Sequence, residues 1–339
     1  MPVQYCIDNE LNPSRLRIYK DFSGIKLGKN EAIYRIKDGQ LSCLDKNKDY
    51  LDPFRQRFFD SFTSQVLSHY GLKDLNFDFM VNFNDETNNE YLDDPSKFVF
   101  ARPKSSPHIC IPDSHLGQTI NTCSRLGELD IEWSAKQDKA CFFGSDTGLQ
   151  IANENTQRVN ICERYLNSKV VDAKITNFTK TPPNAAYSSD FVSIADQLKY
   201  KFILNVNGNT TSWERLIWTM ASNSLCIYVR PPVDQNDISW YYHLFDFDQA
   251  FVYVDENNIE SCVKFLLDNP ITSAYLKDRQ KATAEILIGV EYHSLYYAGI
   301  LQQYNKLYNE KRKQRSAYWH LWRRSSSRLL RLDFYIQRH

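Results

Sequence analysis

No stretch of this sequence approaches the roughly 18 consecutive apolar residues that a membrane-spanning helix needs, so an integral membrane protein is not expected. The first ten residues lack a basic region followed by an apolar run, which argues against a secretion signal and for a cytoplasmic chain, peripheral at most on the inner face of a membrane. The eight cysteines (Cys6, Cys43, Cys110, Cys123, Cys141, Cys162, Cys226, Cys262) form no CxxC pair, and several fall inside apolar runs where Cys packs as a small core residue. Neither a disulfide framework nor a cysteine metal site is expected. The seven histidines show no HxxxH spacing. Internal repeats and low-complexity segments are also missing. Two formal sequons, at Asn177 and Asn209, carry little weight without an export signal.

Net charge is absent as well, with 41 basic and 41 acidic residues, but the balance is uneven along the chain. Ten of the basic residues and only two of the acidic ones, Glu310 and Asp333, lie between Lys306 and His339. That tail also carries Trp319, Trp322, Leu329 and Leu330. Basic residues interleaved with Trp and Leu suit an anionic membrane surface, or equally a helix packed on the body with a solvated face. No recognised nucleic-acid module accompanies them, so no nucleic-acid partner is expected.

What is present is a folded globular chain: 42% of its 339 residues are apolar and 14% aromatic. That length exceeds what one hydrophobic core usually serves. A hairpin is expected across Lys37-Asp38-Gly39, and a helix opening at Asp52-Pro53 and stopping at Gly71. Strands are expected at Phe77 to Phe83, Phe98 to Ala101 and His108 to Ile111, then a polar connection from Gly117 to Glu132 as a domain link. A second series follows: strand from Lys139, helix Thr156 to Leu166, strand Val170 to Ile175, helix Val192 to Leu198, and one long helical region from Thr272 to about Leu307. Alternating strands and helices in both halves argue for two doubly wound α/β domains facing a cleft. The division is drawn at 1–130, 131–285 and a C-terminal 286–339.

The most informative stretch runs from Lys199 to Val229. It reads as a buried strand (Phe202 to Val206), a polar turn at Asn207-Gly208-Asn209, a helix opening at Thr210 to Ser212, and a second strand from Leu225. Such a helix N-terminus is a ready phosphate site, because its backbone N–H groups point outward and its dipole favours negative charge. Arg215 sits one turn into the helix, within reach of a diphosphate. The alternative is an ordinary crossover whose Gly208 only makes the turn. Three further segments stand in order around it: Met80 to Asp85, a strand ending in an acid; Lys139-Ala-Cys-Phe-Phe-Gly-Ser145; and Trp240-Tyr-Tyr-His-Leu244 followed by Phe251 to Val254.

Together these four segments, spanning roughly residues 75 to 270, resemble glycosyltransferase family 90, which holds capsule-associated and lipopolysaccharide-modifying transferases and protein O-glucosyl- and O-xylosyltransferases. The resemblance implies a GT-B fold with C-terminal helices crossing back over the N-terminal domain. It implies an inverting, metal-independent transfer of glucose or xylose from a UDP-sugar, with no cofactor, to a glycan or lipid-linked saccharide. By the same resemblance Asp85 is the catalytic base, with Glu86 and Asp113 as spare acids. The donor would be held by Gly144, Ser145, Arg158, Gly208, Thr211, Ser212 and Arg215. The chain departs from the pattern at Phe143, where the family carries arginine; Arg158 stands as its substitute or as a solvent-facing residue. Asp246-Phe-Asp248 is a DxD, the metal and nucleotide ligand of the other major transferase fold. A non-catalytic saccharide- or nucleotide-binding module at a membrane is the rival reading.

Overall fold

The computed structural model describes residues 2–310 except 20, 23, 48, 85–94, 151–154, 233–236, 245–250 and 290. The helix α1 (Pro2–Glu10) leads into a first sheet that opens with the expected hairpin. β1 (Glu31–Lys37) and β2 (Gln40–Lys46) pair antiparallel, and Asp38 and Gly39 both take positive φ (53° and 76°), matching the twist of a two-residue turn. The helix α2 (Pro53–His69) starts where the sequence places it: the Asp52 side chain accepts from the backbone N–H of Phe54 and Arg55, with Pro53 at the first helical position. β3 (Asn76–Asn82) lies antiparallel to β1 on its other side. β4 (Lys97–Val99) and, after β5 (Ala101–Pro103), β6 (Ile109–Cys110) extend the sheet in parallel, giving the order β2-β1-β3-β4-β6.

This mixed sheet corrects the expectation of a doubly wound N-terminal half. The β2 sequence, Gln-Leu-Ser-Cys-Leu-Asp-Lys, is largely exposed and needs no covering helix, so a two-residue turn can lay it antiparallel at the edge. The segment expected as a polar link is also different: it folds as α3 (Leu116–Ser124) and α4 (Leu126–Leu129). Leu116, Cys123 and Leu126 supply a sparse buried face that its polar composition hides.

The second sheet is wholly parallel. Its strands are β7 (Gln137–Ser145), β8 (Val171–Asn177), β9 (Tyr200–Asn205), β10 (Leu225–Val229) and, after β11 (Asp237–Ser239), which pairs with β5, β12 (Val252–Val254). Their spatial order is β8-β7-β9-β10-β12. Counted from β7 this is the 2-1-3-4-5 order of a doubly wound sheet, whose winding reverses between its first and third strands. Alternation along β7 serves both layers. Phe142 joins a core with Val159 and Cys162 of α5 (Gln157–Arg164), whereas Cys141 and Phe143 join one with Leu216 and Met220 of α7 (Trp213–Ala221). Between β8 and β9 lies only one short turn of helix, α6 (Ile194–Gln197).

The long helical region is broken in two. Pro270–Ile288 ends at Gly289, and a second helix covers 292–310. The second crosses back onto the first sheet, with Tyr304 5.1 Å from Phe77 and 5.3 Å from Phe98, ring to ring. Tyr297 stacks on Phe62 of α2 at 5.4 Å, and its hydroxyl shares a 3.0 Å hydrogen bond with Thr63. Two ion pairs are sealed inside this half, Lys97 with Glu31 (2.6 Å) and the fully buried pair of Glu10 and Arg102. Glu10, fully buried, accepts from Arg102 Nε (3.0 Å) and Nη2 (2.9 Å) and from the backbone N–H of Cys110, and meets His243 Nε2 at 3.1 Å. Burial alone would raise the Glu10 pKa, but the Arg102 guanidinium holds it well below the usual carboxylate range.

Candidate functional site

The winding reversal between β7 and β9 is where a doubly wound sheet opens its crevice, and a cleft of about 370 Å³ lies at their carboxyl ends. The turn after β9 and the first turn of α7 form one wall: Gly208, Asn209, Thr210, Thr211, Ser212, Glu214 and Arg215. Thr147 and Arg158 come from beyond β7 and from α5, and Arg55 of α2 and His115, just before α3, close it from the other half.

Arg158 is the most heavily anchored of these groups. It donates to the backbone oxygens of Ser145 (3.1 Å), Val206 (2.9 Å) and Asn207 (2.9 Å), and to the hydroxyls of Thr147 (2.8 Å) and Ser145 (3.4 Å). Burial, and then the like charge of Arg215, push its pKa down to about 9, which leaves it protonated at neutral pH. Arg215 donates to Gln197 Oε1 (3.0 Å) and to the carbonyl of Phe143 (2.5 Å). Among the described residues neither guanidinium is paired with a carboxylate. The two cations therefore lie in one cleft without a close ion pair, and Glu214, which lines the same cleft, and Asp146 act on them only from a distance.

The helix end beside them is open. Ser212 occupies the cap position of α7, but its hydroxyl donates to the carbonyl of Val206 (3.1 Å) and makes no capping bond to the first turn. The aromatic segment at residues 240–244 braces this turn from behind. Tyr241 donates to the carbonyl of Ser212 (2.7 Å), and Tyr228, hydrogen-bonded to Tyr242, donates to Asn207 Oδ1 (3.0 Å). Gly208 is sterically confined: a Cβ there would stand 3.1 Å from both Arg158 Nη2 and Thr147 Oγ1, which would have to give way by a few tenths of an ångström. Gly144 is hemmed in similarly by Phe142 and Arg215. At the end of β7, Asp146 is buried and accepts from the backbone N–H of Thr179, Lys180 and Thr181 at 2.6–2.9 Å. Burial alone would raise its pKa; these bonds hold it down to about 2.

The residues expected at the donor site thus converge. Arg158, Gly208, Thr211, Ser212 and Arg215 line the cleft directly, while Ser145 and Gly144 support its arginines. Phe143, standing where the family pattern has arginine, is buried against Tyr200, and only its carbonyl reaches the site. Asp113 is buried, its carboxylate accepts the backbone N–H of His115 (2.8 Å), and burial raises its pKa; it does not line the cleft. Asp85 and Glu86 lie outside the described residues, as do Asp246 and Asp248 and the basic tail beyond residue 310. The chain leading to Asp85 is fixed at the cleft margin, since Arg55 Nη1 donates to the carbonyl of Phe83 (2.6 Å). Among the described residues no group of three His, Cys, Asp or Glu gathers as a metal site.

Sequence reasoning missed Arg55, His115 and Glu214. The first two belong to elements far from the β9–α7 segment, and only the packing of the first half against the second brings them in. Glu214 is adjacent to Arg215 and was legible as a neighbour, though not as a cleft residue. Burial raises its pKa, and its Oε2 has no hydrogen-bond partner among the described residues.

No curated protein matches the chain. The family model described as glycosyl transferase family 90 matches residues 14–328, nearly its whole length. With a doubly wound sheet, an uncapped helix end and two arginines at its winding reversal, the chain belongs to glycosyl transferase family 90 and is a glycosyltransferase.

Proposed function

We propose that the protein transfers glucose or xylose from a UDP-sugar to a hydroxyl of a glycan or glycolipid, with inversion at the sugar and without a metal ion. The observation that carries this reading is the pair Arg158 and Arg215, unpaired with any described carboxylate, beside the uncapped N-terminus of α7. A diphosphate supplies the close anionic partner that both arginines lack, with bidentate geometry suited to guanidinium. In the reaction a carboxylate takes the acceptor O–H proton, the acceptor oxygen bonds to the sugar's anomeric carbon, and that carbon's bond to the diphosphate oxygen breaks. UDP leaves with the bonding electrons, stabilised by the two arginines and the helix end. The base in this reading is Asp85, two residues beyond the Phe83 carbonyl held at the cleft by Arg55. The two protein halves are read as the acceptor and donor sides of a GT-B enzyme working on the cytoplasmic side of a membrane, and the basic tail as its contact with anionic lipid.

Titration calorimetry of UDP, repeated with EDTA, tests the donor site. Saturable binding that survives the chelator supports it; binding that needs manganese would return the role to Asp246 and Asp248.

A further inference from the structure

The two helices that close the donor cleft from the first half continue past it as the walls of a second cavity. Arg55 lines the cleft, and Phe58, Phe62 and Val66 follow at successive turns of α2. His115 lines the cleft, and Leu116 and Ile120 follow along α3. Between them runs an apolar groove of about 450 Å³, closed on its third side by His293 of the helix 292–310. The rings of Phe58 and Phe62 stack at 5.6 Å and are only half-buried. A groove of this size, mainly apolar but with Gln65, His69 and Glu291 in its lining, has the character of a small-molecule site rather than of surplus surface.

Resting on the transferase reading above, we infer that this groove is the acceptor's second subsite and takes an alkyl chain attached to the acceptor sugar, whose hydroxyl then lies in the cleft. The argument for this occupant is continuity. The same turn of α2 and the same start of α3 face both cavities, so a molecule in the groove emerges at the cleft wall formed by Arg55 and His115. A free saccharide would satisfy the cleft and leave the stacked phenylalanines in water, whereas an alkyl glycoside fills both. The enzyme is thereby assigned an amphipathic acceptor.

Alkyl β-glucosides of increasing chain length, from methyl to octyl and below micelle-forming concentration, test the assignment by calorimetry. Affinity should rise with each methylene, by up to about fourfold, and level off once the groove is filled. Phe62→Asp and, on the opposite wall, Ile120→Glu should abolish that length dependence while UDP affinity stays unchanged. Phe62→Ala replaces the first variant if its UDP binding is lost through misfolding. Length-independent binding in the wild type overturns the inference, and so does a length dependence that survives in both wall variants. Sedimentation showing a wild-type dimer that these variants dissociate would give the groove to a second copy of the chain. UDP titration of the same sample keeps the two readings apart: alkyl binding without UDP binding would leave the groove and remove the donor site.

Discussion

The guanidinium carbons of Arg158 and Arg215 both lie 5.5 Å from the centroid of the buried Phe142 ring. One aromatic side chain thus supports two like charges, each of which its own hydrogen bonds hold in place. In the free protein this arrangement is unfavourable, because burial acts against both charged forms and the charge of Arg215 acts against that of Arg158. A bound diphosphate reverses the sign of that interaction. UDP at about 100 times its dissociation constant should accordingly stabilise the protein by about 2.7 kcal/mol, seen as a rise in melting temperature. No shift with UDP, at a concentration where ADP or phosphate gives one, would show that the arginines serve a different anion.

Removing one of these cations should separate binding from stability. Arg215→Ala is expected to weaken UDP by about 1.5–3 kcal/mol, or roughly 12- to 160-fold, with a modest loss of stability. Arg158→Ala should cost a comparable amount of affinity and more stability, since it also releases the carbonyls of Ser145, Val206 and Asn207. Lysine should restore neither, because it cannot reproduce the forked contacts. Calorimetry and thermal melts of the four variants check this, and unchanged UDP affinity in Arg215→Ala would count against the donor site.

Asp85→Asn is expected to leave UDP affinity nearly unchanged while turnover falls by about 10²- to 10⁴-fold, the usual effect of removing a positioned base. The substitution keeps the shape of the side chain and removes only its basicity. Near-wild-type turnover would move the role to Glu86.

Gly208 offers a purely steric test. The Cβ of Gly208→Ala would meet Arg158 Nη2 and Thr147 Oγ1, and Arg158 is tied to five oxygens and cannot swing aside freely. A cost of about 1–3 kcal/mol is expected, divided between folding and UDP binding. A crystal structure of the variant with Arg158 unmoved, together with wild-type affinity, would refute the argument.

The Asp146 carboxyl supplies a prediction about pH. Its folded pKa of about 2 lies below the unfolded value of about 3.9, so the unfolded chain takes up the proton first as pH falls. Its stabilising contribution is complete above about pH 4 and disappears between there and about pH 2. Urea unfolding of the wild type and Asp146→Asn should differ most near neutrality and converge in acid. A difference that stays constant throughout would assign the stabilisation to packing instead.

The half built on the parallel sheet was the more legible part of the sequence. Val-Asn-Gly-Asn-Thr-Thr-Ser after an apolar strand encodes a turn and a helix start through local chemistry alone, and the structure puts them there. Where local chemistry is weak, the sequence was misleading. Leu116, Cys123 and Leu126 are too widely spaced among polar residues to announce a helix, and they become helical only by packing against the core. Gly289 is a local stop signal of the same kind as Gly71, but the helical pattern that continues on both sides of it masks the break. Arg55 and His115 carry little signal, since a cleft residue on a helix face or just before a helix looks like any solvated polar group. Their role is a property of the tertiary fold.

Glu10 binds Arg102, the Cys110 amide and His243, which follow it by 92, 100 and 233 residues. Synthesis from the N-terminus makes α1 before all three, yet its acid cannot leave water until the last of those partners has emerged. A buried carboxylate without its cations would cost several kcal/mol, so docking of α1 against β5 and β6 is postponed until most of the chain exists. A segment translated before all of its partners is in this way the closing piece of the first half, and its seating reports that the residues around His243 have already found their place.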